Sequence, residues 1–146
     1  MNASRNLNKA FISPRGTITR LHFNTFDAHG FLMQTKGSKL FILFHPDTDL
    51  DAFSSDDTDD GEKNQSRVDP LKFIPVKAKI FGMYAVVLKP GEAIYVPRKW
   101  WYYAVSLERS QTVMRNWYNS KTNMNTLVKM ILKPASGGGG SSFFNR

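Results

Sequence analysis

An all-β domain, a sandwich or barrel with one late helix, is the fold class this sequence predicts. Three observations carry that reading. Short runs rich in β-branched and aromatic residues recur along the chain, turn residues separate them, and only one segment, near the end, has helical spacing. Lys9–Ser13 is the first strand, broken by Pro14-Arg15-Gly16. Thr17–Phe23 alternates and is rich in β-branched residues. Gly30–Thr35 and Lys39–Phe44 flank Lys36-Gly37-Ser38, which reads as a hairpin turn, and Pro46 stops the second of them. Asp47–Arg67 is charged and poor in apolar residues, which predicts a mobile acidic insert. Strand character resumes over Ala78–Leu88, with Gly82 read as a bulge. Lys89–Glu92 is a turn, Ala93–Val96 a short strand ended by Pro97, and Trp101–Leu107 and Thr112–Tyr118 are two more strands. Asn125–Leu132 is the helical segment, stopped by Pro134. Residues 1–133 thus read as one domain, and 134–146 as a flexible Gly/Ser-rich tail.

Composition narrows the function classes. A chain of 146 residues has the size of a single domain, and 41% hydrophobic content with 11 Phe supports a packed core rather than disorder. The absence of cysteine excludes a disulfide framework, a thiolate zinc site and thiol catalysis. The N-terminus is polar, unlike a secretory leader, and no stretch approaches a membrane span. The expectation is an intracellular protein, cytoplasmic or nuclear, with no membrane contact.

The net charge is +8, unevenly spread. Asp47–Glu62 holds eight of the twelve acids and no Lys or Arg, so four acids face twenty cations in the rest of the chain. A basic body with an acidic loop suggests an anionic partner or a loop that screens the body, against the plain alternative of a solvated basic surface.

Two segments carry a family resemblance. Gly16–Pro46 (GTITRLHFNTFDAHGFLMQTKGSKLFILFHP) contains Thr19, then His22-x-Asn24, then Gly37-x-Lys39 before an apolar strand and a proline. Val86–Tyr118 (VVLKPGEAIYVPRKWWYYAVSLERSQTVMRNWY) contains a Pro-Gly-Glu turn, a short strand, Pro97-x-x-Trp100-Trp101-Tyr102, Ser-Leu, and a last strand ending in Trp117. In order and spacing these resemble the Jumonji C family, especially its small cupin-like protein hydroxylases. The resemblance implies a double-stranded β-helix, that is, a cupin or jelly-roll barrel with a short C-terminal helix. Its open end would hold Fe(II) and 2-oxoglutarate, and use oxygen to hydroxylate protein side chains or remove N-methyl groups. That chemistry takes two His and one carboxylate on one face of the metal.

The residues here depart from that pattern. His22 falls on the first ligand position. Asn24 falls where the family has Asp, and a neutral amide oxygen is a poorer donor to a divalent cation. Tyr102 falls where the family has the distant His, and a phenol with a pKa near ~10 is a poor ligand at neutral pH. Lys39 falls on the Lys that pairs with the far carboxylate of 2-oxoglutarate, and Thr19 on its neighbouring hydroxyl. Arg115 is placed where related hydroxylases have Asn on the last strand. Asp27 and His29 are the residues that could rebuild the metal site. Asp47, Asp49 and Asp51 have the spacing of a calcium loop, but Ala52 and Thr58 break its pattern.

Three readings follow. The first is an impaired Jumonji C-like domain that acts as a binding or scaffold module for a protein partner. The second is an active hydroxylase or demethylase of a protein substrate, with a rearranged metal site. The third is a basic nucleic-acid-associated module, with aromatic residues such as Tyr103 near Arg98 and Lys99. The resemblance specifies neither substrate nor oligomeric state.

Overall fold

The computed structural model describes residues 8–49, 64–66, 68–72, 82–121 and 123–132. Eight strands precede one helix: β1 (Asn8–Ser13), β2 (Ile18–His22), β3 (His29–Lys36), β4 (Lys39–Phe44), β5 (Met83–Leu88), β6 (Ala93–Val96), β7 (Trp101–Ser106), β8 (Ser110–Trp117) and α1 (Met124–Leu132). They form two four-stranded antiparallel sheets, ordered β1-β8-β3-β6 and β2-β7-β4-β5. Apart from β4–β5, each consecutive pair of strands crosses from one sheet to the other, which winds the chain into a cupin, or jelly-roll, barrel.

That winding corrects one local expectation. Lys36-Gly37-Ser38 is not a hairpin turn, because β3 and β4 lie in different sheets. It is a corner between them. Gly37 has φ 65°, and a Cβ there would collide with the carbonyl of Arg109. Only glycine fits both demands. Gly82, read as a bulge, instead precedes β5, where its carbonyl accepts from the His45 amide at 3.2 Å. Residues 78–81 of the expected strand Ala78–Leu88 lie outside the described residues, as do residues 50–63 and 67 of the acidic insert. The end of that insert is docked on the barrel. Ser66 N–H donates to Leu21 O at 2.9 Å, Phe23 N–H to Asn64 O at 3.0 Å, and Gln65 pairs with His22.

The strand period of two sorts side chains onto two faces. Leu32, Phe41, Leu43, Leu88, Val96 and Met114 point between the sheets and form the main core. Leu21, Ile42, Phe44 and Tyr103 form a second cluster on the outer face of the β2-β7-β4-β5 sheet, covered by Val68. Fully burying such side chains contributes roughly 1.5–3 kcal/mol each. The outer face of the other sheet is different. Phe31, Met33, Tyr95, Val113 and Trp117 there are each more than a third exposed. The helix start is tied to the turn after β2: Asn123 Nδ2 donates to Asp27 O at 2.7 Å. No described helix is long and apolar enough to cross a membrane.

Candidate functional site

One end of the barrel opens into a cavity of about 420 Å³ between the sheets. Thr19, His22, Asn24, Lys39 and Tyr102 all line it. Their convergence depends on an irregularity in β2. Thr19 pairs with Ala104 and His22 with Tyr102, so Arg20 and Leu21 together oppose one residue of β7. Residues three apart on a regular strand face opposite ways. This β-bulge turns both Thr19 and His22 inward, while Leu21 is freed to fill the outer core.

His22 is held by its own strand. Its Nδ1 lies 2.8 Å from Arg20 O, and a carbonyl only accepts, so Nδ1 carries the proton. Burial holds its pKa below the ordinary value, with the Lys9 charge adding to the effect. The ring is therefore neutral at pH 7 and keeps Nε2 as an acceptor. It lies against the Tyr102 ring, centroids 4.3 Å apart. The Tyr102 hydroxyl donates to Asn24 Oδ1 at 3.1 Å. Burial pushes that phenol well above its usual pKa, so it stays a neutral O–H. Asn24 Nδ2 is buried with no hydrogen-bond partner. Gly30, on the facing β3, makes room for it: a Cβ there would sit 2.8 Å from Nδ2.

Lys39 is 5% exposed and has no hydrogen-bond or ion-pair partner among the described residues. Burial lowers its pKa. Lys9 and Arg20 add two further cations to the cavity lining, which includes no Asp or Glu among the described residues.

The last strand corrects a sequence assignment. On β8, burial alternates so that Thr112, Met114 and Asn116 face inward, while Arg115 faces out to solvent. Asn116, not Arg115, reaches the cavity, and its Oδ1 is buried and unpaired. Asn64 also lines the cavity. Its Nδ2 donates to Phe23 O at 3.0 Å, which leaves its buried Oδ1 without a partner. The two residues considered able to rebuild a metal site do not enter it. Asp27 pairs with Arg98 at 3.7 Å. His29 faces the opposite side of β3, where its Nδ1 accepts from Tyr95 Oη at 2.5 Å and from the Arg98 amide at 3.2 Å, and its ring stacks on Trp117. His45 sits at the end of β4, bonded to Asp47 at 3.3 Å and edge-on to Trp100.

Residues 1–124 match the family described as Cupin-like domain. The chain belongs to this cupin-like, Jumonji C-related family. Among curated proteins it is similar to Jumonji C domain-containing protein 5 of Drosophila melanogaster, at 34% identity over 113 residues, covering 75% of this chain and 27% of that protein. It is also similar to the lysine-specific demethylase JMJ30 of Arabidopsis thaliana, at 29% identity, covering 75% and 25%. The chain thus spans about a quarter of the length of these relatives. The solved structure of Drosophila melanogaster CENP-C bound to CAL1 shares the fold, with a TM-score of 0.50 at 9% identity, covering 79% of this chain and 64% of that one.

The family implies Fe(II) and 2-oxoglutarate, and the residues present do not fit the iron. Of the three ligand positions only His22 supplies a metal donor. Asn24 offers an oxygen already engaged by a phenol that stays protonated, and its free amide group is a donor, which repels a cation. No group of three or more His, Cys, Asp or Glu comes together anywhere among the described residues. A dication placed here would face Lys39 with no carboxylate to offset it.

Proposed function

We propose that this chain is a catalytically impaired member of the cupin-like family that uses its barrel as a binding module for a small organic anion. The observation that supports this best is the buried Lys39 side chain in a cavity that has no carboxylate in its lining among the described residues, with the exposed Lys9 and Arg20 adding a weaker, screened charge. A buried, unpartnered ammonium is costly unless an anion joins it. The relatives named as demethylases act on lysine and arginine by their printed names. This chain keeps the barrel of such proteins with a lining suited to holding a carboxylate rather than a metal.

The test is iron loading under anaerobic conditions, with and without 2-oxoglutarate. Metal stoichiometry and the weak visible charge-transfer band are the readouts. The wild-type chain is expected to hold no stoichiometric iron. The double variant Asn24→Asp, Tyr102→His restores the donor set and is expected to gain iron. One iron per wild-type chain, with the band, overturns the reading.

A further inference from the structure

The cavity has unmet bonding demands beyond the Lys39 charge, and together they describe a ligand. Asn64 Oδ1 and Asn116 Oδ1 are buried acceptors with no donor. His22 Nε2 is a third acceptor, because Nδ1 holds the ring proton against Arg20 O. Among the donors of the lining are the Lys39 ammonium and Asn24 Nδ2, which is buried and has no acceptor. All of these residues line the same cavity. Asn24, Asn64 and Asn116 are each more than nine-tenths buried.

We infer that the ligand is a carboxylate that also carries N–H donors, an amino acid rather than a keto acid. The carboxylate meets Lys39 and Asn24 Nδ2, and the ammonium meets the carbonyl oxygens of Asn64 and Asn116 or the His22 nitrogen. This deepens the reading of the site as a metal-free anion pocket and rests on it. A keto dicarboxylate has acceptors only, so it would leave the buried acceptors facing its own oxygens.

Charge alone favours the more negative ligand, which opposes this inference. Lys9 and Arg20, however, are exposed, so solvent and salt screen them. The orphaned amide oxygens are buried and unscreened, and an unmet buried polar atom is the larger penalty. A site built around hydrogen-bond partners of one kind discriminates strongly against an analogue that lacks them.

L-glutamate and 2-oxoglutarate form a matched pair of probes. They share a carbon skeleton and two carboxylates, and differ in an ammonium against a keto oxygen at one carbon. Calorimetric titration in chelator-treated buffer is expected to give glutamate at least about tenfold tighter binding. Asn116→Leu should bring glutamate down toward 2-oxoglutarate, while the latter, freed of an opposing oxygen, binds no more weakly than before. Lys39→Met should abolish both. Equal affinities, tighter 2-oxoglutarate, or binding of neither overturns the inference while the metal-free reading stands. Binding of either that requires added Fe(II) overturns both.

Discussion

Replacing Lys39 with Met should make the ligand-free protein more stable, against the usual direction of a core substitution. The wild-type side chain is 5% exposed and has no partner among the described residues, so folding strips its ammonium of part of its water without compensation. Methionine has a similar length, keeps the apolar stem packed against the interior, and removes the charge. An unmet buried polar group costs about 1–3 kcal/mol, and the Lys39 ammonium still faces the cavity, so the variant should gain up to about that much. For a domain of this size that is a rise of roughly 3–9 °C in Tm.

The pH dependence gives the argument a second arm. Burial lowers the folded-state pKa of Lys39, so the unfolded chain binds this proton more tightly. The penalty is therefore full below the folded pKa and is relieved as pH rises toward the unfolded value. Scanning fluorimetry of both proteins from pH 7 to 10 should show the gap closing with pH. Adding a carboxylate ligand at pH 7.5 should raise the Tm of the wild type only. A Lys39→Met variant that melts lower than wild type in ligand-free buffer would mean that Lys39 already has a partner, and the anion argument would fail.

Two further outcomes follow from the site. Gly30→Ala should cost about 1–3 kcal/mol through overpacking, because the new methyl sits 2.8 Å from Asn24 Nδ2 and 3.2 Å from Met114 Cε; a denaturant midpoint unchanged from wild type would refute the close fit. His22 and His29 both have folded pKa values lowered chiefly by burial, so the unfolded chain takes up protons first as pH falls below about 6.5. Stability should decline from there downward, and His29→Gln should flatten part of the decline; a Tm constant from pH 7.5 to 5 would contradict both assignments.

The barrel was legible where turn chemistry brackets a strand. Lys39–Phe44 lies between a glycine corner and Pro46, and Ala93–Val96 between Pro-Gly-Glu and Pro97, and both strands have these bounds in the structure. The site was legible through the resemblance to the Jumonji C family, which puts Thr19, His22, Asn24, Lys39 and Tyr102 in one site. Their shared cavity was not, because Thr19 and His22 meet only through a bulge that no glycine or proline announces. Asn116 was missed for a related reason. The outward face of β8 carries Val113 and Trp117, so apolar alternation points to the wrong side of the strand. A reading of Ser110, Thr112, Met114 and Asn116 as one face was available, but hydrophobicity does not select it. The sheet assignment of β3 and β4 was hidden too, since a glycine corner and a hairpin turn have the same residues.

The extra residue in β2 is absorbed at one point in the pocket wall. Thr19 is placed by the pairing before the bulge, His22 by the pairing after it. Losing one residue between them would restore the plain alternation and keep both side chains inward, because residues two apart on a regular strand share a face. A regular strand of the present length would instead carry the imidazole to the outer face, so the bulge has to persist for as long as the extra residue does. The two ends of the strand can thus vary separately, although they share one sheet and one wall.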